Sequence, residues 1–151
     1  MTISGKAGKV IQVLGNGLTG TTQVMFGAGS ASFTVVSDTY LTAVVPATGT
    51  SGPVVVTAPS GTRISSKNFK VQPAISSFSP TSGGVGSQVV ITGTGLTQTT
   101  AVTFGGVRAT VFTVNSATQV TATVPEGAKT GKIAITSPGG TASSAAIFTV
   151  I

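Results

Sequence analysis

The chain repeats itself at close to domain length. From Gly15 it reads Gly-Asn-Gly-Leu-Thr-Gly-Thr-Thr-Gln-Val-Met-Phe-Gly, and from Gly93 it reads Gly-Thr-Gly-Leu-Thr-Gln-Thr-Thr-Ala-Val-Thr-Phe-Gly. Later markers answer one another too: Val-Val-Pro46 with Thr-Val-Pro125, and Ala-Pro-Ser-Gly-Thr62 with Ser-Pro-Gly-Gly-Thr141. The offset is 78 residues at Gly15/Gly93 and 79 at Gly61/Gly140. Solenoid units repeat every 20 to 50 residues or so, which is too short. A period near 80 is instead the size of a small domain able to fold alone. The 151 residues therefore hold two copies of one domain, 1–72 and 73–151.

Composition selects the kind of domain. Hydrophobic residues make up 40% of the chain and charged residues only 7%, against roughly 25% charged in an ordinary soluble domain. Val, Ile, Ala and Phe threaded with Thr suit pleated, half-buried strands. Low charge with abundant Thr, Ser and Gly fits extracellular or particle-surface β-proteins. The net charge of +6 comes from having only two acids, Asp38 and Glu126, beside eight dispersed Lys and Arg. No two of those cations are adjacent, whereas a phosphate footprint needs them clustered, so no nucleic-acid partner is expected. The absence of Cys excludes disulfides and thiolate metal sites. Residues 1–9 lack the apolar core of a signal peptide. No run reaches the 18 or more apolar residues of a membrane span, so no membrane insertion is expected.

Periodicity gives short strands and no helix. In the second copy the strands are expected at 74–78, 88–92, 101–104, 107–114, 119–124, 132–136 and 145–150, with a turn at 79–84. Gly105-Gly106 marks a tight hairpin, and Val120, Ala122 and Val124 alternate onto one face. In the first copy they are expected at 10–13, 23–26, 31–36, 41–45, 53–57 and 68–71. Strands at intervals of about ten residues predict an all-β chain of two tandem immunoglobulin-like β-sandwiches. Gln72-Pro73 joins them as a short stiff linker, because Pro73 biases Gln72 toward an extended conformation. The second copy opens with Pro73-Ala-Ile-Ser-Ser-Phe-Ser-Pro-Thr-Ser-Gly83, but the first has only Met1-Thr-Ile-Ser-Gly5. The first domain is thus expected to have a shortened or missing first strand.

The ordered set Pro73-x-Ile-xx-Phe-x-Pro80-xx-Gly83, Val-Val-Ile-Thr-Gly-Thr-Gly-Leu96, Val-Thr-Phe-Gly-Gly106, Thr-Ala-Thr-Val-Pro125 and Ser-Pro-Gly-Gly-Thr141 resembles the IPT/TIG domain. That immunoglobulin-like domain is shared by plexin-type receptors, Rel-type transcription factors and bacterial surface or secreted proteins. The resemblance covers the second copy and nearly all of the first. The first departs from it in the absent Pro-x-Ile opening and in Gly27-Ala28-Gly29, where Gly-Gly is usual. Membership implies the fold and a binding or spacer role, and implies no catalytic residues.

The chemistry-bearing residues point the same way. There is no His and no Cys, and the two carboxylates lie in different copies, whereas glycoside hydrolysis needs a pair within about 5–10 Å. One acid per domain falls short of the oxygen set that calcium takes. Gly93-Thr-Gly-Leu-Thr-Gln opens no helix and lacks the Lys of a phosphate loop, so its glycines serve a strand exit. No enzyme activity, cofactor or metal is expected. Phe26/Phe104 and Phe69/Phe148 recur at equivalent positions, as core residues do, and Phe33, Phe78 and Phe112 are expected in the core. Tyr40 aligns with Gln119 and faces away from Leu41, Ala43 and Val45, which makes it the candidate ligand contact.

The expected function is a non-enzymatic structural or adhesive module, a spacer, assembly or partner-binding unit on a cell surface, filament or particle. The alternative is a carbohydrate-binding accessory module of a secreted enzyme. Protein partners come first, by self-assembly or neighbouring domains, and carbohydrate second. The expected location is extracellular or at the cell surface, a virus or phage particle surface included. The candidate assembly edge is the shortened start, Met1, Thr2, Ile3 and Ser4, where the first domain would accept an external strand or pack on a neighbouring subunit.

Overall fold

A computed structural model describes residues 3–151. Met1 and Thr2 of the expected assembly edge lie outside the described residues. The chain divides into two compact units, Met1–Val71 and Gln72–Ile151.

The first unit contains β1 (Ser4–Lys6), β2 (Val10–Leu14), β3 (Gln23–Phe26), β4 (Gly29–Ser30), β5 (Phe33–Ser37), β6 (Tyr40–Val44), β7 (Gly52–Ala58) and β8 (Gly61–Gln72). One sheet runs β2-β6-β5 and the other β1-β8-β7-β3-β4. Successive side chains on a strand point to opposite faces, and the apolar alternation decides which face turns inward. Val24 and Phe26 of β3, Val54 and Val56 of β7, and Phe69 and Val71 of β8 are buried with Ile11 and Val13 of β2 and Leu41 and Ala43 of β6. Phe26 and Phe69 meet edge to face with centroids 5.0 Å apart. Fully burying one such ring contributes roughly 1.5–3 kcal/mol.

The second unit contains β9 (Ala74–Ser79), β10 (Ser82–Gly83), β11 (Gln88–Thr94), β12 (Ala101–Phe104), β13 (Val107–Arg108), β14 (Phe112–Ser116), β15 (Gln119–Thr123), β16 (Gly131–Ser137) and β17 (Gly140–Val150). Its sheets run β14-β15-β11-β9 and β10-β17-β16-β12-β13. This is the two-sheet strand arrangement of an immunoglobulin-like sandwich, with Phe78, Phe104 and Phe148 in contact inside it.

Several details depart from the sequence expectation, among them the strand expected at 31–36, which runs from Phe33 to Ser37 as β5. The strand expected at 107–114 breaks into β13 and β14, because the chain changes sheets there: β13 pairs with β12 and β14 with β15. The turn expected at 79–84 contains β10, which leaves the sheet of β9 to lie parallel to β17. Strands β8 and β17 begin several residues early, since each hairpin continues past a bulge. Phe33 and Phe112 are only partly buried and pack against the margins of their cores.

The two units differ at one edge. In the second, β11 pairs with β15 on one side and with β9 on the other. Among the described residues of the first unit nothing corresponds to β9, and β2 pairs only with β6.

Candidate functional site

Two surfaces of the first unit set it apart from the second. One is the outer face of the sheet β2-β6-β5. Because Leu41 and Ala43 turn inward, Tyr40, Thr42 and Val44 turn outward, and the register places Leu14 opposite Tyr40, Gln12 opposite Thr42 and Val10 opposite Val44. Val36 adds an exposed apolar side chain from the β5 bulge. Val10, Leu14, Val36, Tyr40 and Val44 correspond by the repeat to Gln88, Thr92, Asn115, Gln119 and Thr123. Gln12 against Val90 is the one exchange in the other direction. The same backbone surface is therefore polar in the second unit and apolar around a tyrosine in the first. Val10 is 61% and Leu14 65% exposed, so this grouping is more than the scattered surface apolar residues normal to any protein.

The other surface is a cleft of about 540 Å³ between β2 and β8. Its apolar wall includes Val13, Leu14, Leu18, Val54, Val56 and Ile64, and Arg63 and Lys67 stand on the β8 side. In the second unit β9 lies over the equivalent ground, packed on β11 and β17, and the space left beneath it is about 160 Å³. A side chain on Gly93 would collide with the carbonyl oxygen of Ala74 in β9. At Gly15, its counterpart, an added Cβ meets nothing nearer than the Leu18 side chain at 3.7 Å. The glycine is needed in the second unit because a strand presses on it, and it stands free in the first.

A third cluster proves structural. The Asp38 carboxylate accepts hydrogen bonds from the backbone N–H groups of Gly17 and Thr19, each at 3.2 Å. The Thr19 side chain first, then the backbone N–H groups of Thr19 and Gly17, hold the Asp38 carboxyl below the usual carboxylate range. Arg63 Nε donates to the Asn16 carbonyl at 3.1 Å and Ser60 Oγ to that of Gly17 at 2.8 Å. These contacts fix the Gly-rich loop against its neighbours and commit its polar groups.

Of the residues singled out from sequence, Ile3 and Ser4 lie along β8: the Ile3 carbonyl accepts from the Lys70 N–H at 2.7 Å, and Ser4 begins β1. Ile3 also lines the cleft between β2 and β8. Tyr40 is partly buried on the outer face opposite Leu14. Sequence reasoning passed over Ser65 and Ser144. Ser144 is buried, and its Oγ accepts from the Ile133 N–H at 3.0 Å and donates to the Ala146 carbonyl at 2.7 Å, bridging the bulge in its hairpin. Ser65 does the same between Val54 and Lys67. Their recurrence at an offset of 79 was the available signal.

The IPT/TIG domain family model matches residues 73–150. No curated protein matches the chain. Among solved structures, a surface glycan-binding protein from Prevotella bryantii aligns over 98% of this chain and 38% of its own length, at 17% identity and a TM-score of 0.59. A protein solved with xylogluco-oligosaccharide aligns over 95% of this chain and 37% of its own, at 22% identity and a TM-score of 0.51. A protein of a xyloglucan utilization locus in Bacteroides uniformis aligns over 95% and 46%, at 20% identity and a TM-score of 0.48. The chain thus spans less than half the length of each of these proteins. With the family match over residues 73–150 and the strand order of the second sandwich in agreement, the chain belongs to the IPT/TIG domain family.

Proposed function

We infer that the chain is a non-catalytic section of a cell-surface glycan-binding protein, and that it touches polysaccharide with the outer face of the β2-β6-β5 sheet. Carbohydrate recognition, second in the sequence reading, moves ahead of a general adhesive role. The observation that carries it is the Tyr40 face. A partly buried tyrosine stands opposite exposed Leu14, with the amide of Gln12 and the hydroxyls of Thr34 and Thr42 on the same face of the sheet. An amphipathic ring suits such a surface, stacking on the apolar face of a sugar while its hydroxyl stays hydrated. The likeness of both units to a surface glycan-binding protein and to one solved with xylogluco-oligosaccharide supports a xyloglucan-type chain as the ligand class.

Native gel electrophoresis through xyloglucan tests the reading. The chain should be retarded, Tyr40→Ala should run as in a polysaccharide-free gel, and Gln119→Ala should remain retarded. Retardation unchanged by Tyr40→Ala would remove this face as the contact. A spacer role is the second reading, favoured by the presence of one Tyr and no Trp in the whole chain. It predicts no retardation for any of the three proteins.

A further inference from the structure

We propose that Asn16 is a self-modification site, converted to aspartate and isoaspartate through a ring closed by the Gly17 nitrogen, and that Asp38 and Arg63 hold it unconverted while the first unit is folded. The inference does not rest on the glycan reading.

The chain has three asparagines, Asn16, Asn68 and Asn115, and Asn16 alone precedes a glycine. That neighbour matters because ring closure brings a main-chain nitrogen onto the asparagine side chain, and glycine has no Cβ to obstruct the approach. The Gly17 nitrogen gives up its proton and bonds to Asn16 Cγ. The Cγ–Nδ2 bond breaks, and Nδ2 leaves as ammonia with that proton. Solvent water, which reaches the exposed Asn16, then opens the cyclic imide at either carbonyl. Opening at Cγ gives aspartate, and opening at the main-chain carbonyl gives isoaspartate. The sum is one water taken up and one ammonia released.

The fold grips both ends of the peptide group that must react. The Gly17 N–H donates to Asp38 Oδ2 at 3.2 Å, and the Asn16 carbonyl accepts from Arg63 Nε at 3.1 Å. On the far side of the glycine, Ser60 Oγ donates to the Gly17 carbonyl at 2.8 Å. Ring closure turns the Asn16–Gly17 peptide group toward the side chain and so breaks the first two bonds. It also develops negative charge on the Gly17 nitrogen beside a carboxylate, and a like charge disfavours that form.

The second unit separates this grip from the making of the loop. Thr94 stands there for Asn16, Ala117 for Asp38 and Ala142 for Arg63. The backbone is nevertheless the same: the Leu18 N–H donates to the Asp38 carbonyl and the Leu96 N–H to that of Ala117, each at 2.9 Å. The loop thus keeps its course without the carboxylate and the guanidinium, and both are present in the unit that carries the Asn-Gly pair. Conversion would reach inward as well. Isoaspartate adds a methylene to the main chain two residues before Leu18, which is 1% exposed in the core. An opening of this loop would be recorded in covalent form.

The test follows Asn16 by peptide mapping with mass spectrometry, in the full chain at mildly alkaline pH. It compares the folded parent, the parent unfolded in urea, and Asp38→Ala and Arg63→Ala held below their tyrosine-monitored unfolding transitions. Asn16 should convert in urea, and roughly ten-fold or more slowly in the folded parent, the factor set by one hydrogen bond to a charged group. Asp38→Ala, which copies Ala117, should convert faster than the folded parent by a similar factor. Where Asp38→Ala does not fold, Arg63→Ala decides, and it too should outpace the folded parent. The proposal falls if Asn16 stays unconverted in urea, or if the folded parent keeps pace with the unfolded chain. It falls equally if the deciding variant converts no faster than the folded parent.

Discussion

Gly15 and Gly93 occupy the same place in the repeat, yet the same substitution should move their units in opposite directions. At Gly93 a methyl group overlaps the Ala74 carbonyl oxygen and comes within 2.9 Å of the Ala74 carbonyl carbon and 3.1 Å of the Ile75 Cα. All three are backbone atoms, so the start of β9 must move off β11 and loosen Ile75 and Phe78. Overpacking of this kind costs roughly 1–3 kcal/mol. At Gly15 the neighbours are Leu18 side-chain atoms at 3.7 to 4.0 Å, and neither glycine has a positive φ. There Gly→Ala removes freedom from the unfolded chain and stabilises by about 0.4–1 kcal/mol. For units of this size each kcal/mol moves the midpoint by roughly 4–8 °C. Gly93→Ala should therefore lower the second unit's midpoint by about 8–16 °C for a central cost of about 2 kcal/mol. Gly15→Ala should raise that of the first by about 2–8 °C. The units can be read separately, because the single tyrosine lies in the first and the chain has no tryptophan. Tyrosine fluorescence follows the first unit alone, and far-ultraviolet circular dichroism follows both. The reasoning fails if Gly93→Ala leaves the dichroism-only transition in place, or if Gly15→Ala lowers the fluorescence transition.

Phe78→Ala empties a buried position beside Phe148 and should destabilise the second unit by about 3–5 kcal/mol in urea unfolding. Ser144→Ala leaves the Ile133 N–H and the Ala146 carbonyl without their bridging hydroxyl, at a cost of about 1–3 kcal/mol. Ser65→Ala should cost less, because that site is partly exposed and water can replace the hydroxyl. The lowered Asp38 pKa means that folding favours its ionised form. Its contribution is fully present above the usual carboxylate range and is lost as pH falls through the lowered pKa. Thermal melts of the parent and Asp38→Asn should therefore differ at neutral pH and converge in acid.

Much of the fold was legible because alternation acts locally. Val120, Ala122 and Val124 are buried at every second residue, and the recurring phenylalanines Phe26, Phe69, Phe104 and Phe148 are core residues in both units. What alternation cannot show is which sheet a strand joins. Residues 107–114 read as one strand because the pattern persists while the chain crosses from β12 to β15. β10 was hidden for a similar reason, since two residues within a Ser-Gly-rich segment carry no period. The shortened start was visible by alignment, but alignment does not show which distant residues share a surface with it: Ile3 lines one cleft with Leu14 and Ile64. The Tyr40 face likewise depends on register, which sets Leu14 opposite Tyr40 although they are far apart in sequence.

The unpaired edge of β2 also makes it the less protected of two equivalent strands. β11 is hydrogen-bonded on both sides, to β15 and to β9, whereas among the described residues β2 pairs with β6 alone. Opening β2 breaks one ladder where opening β11 breaks two, so the first sandwich frays from this edge before the second does.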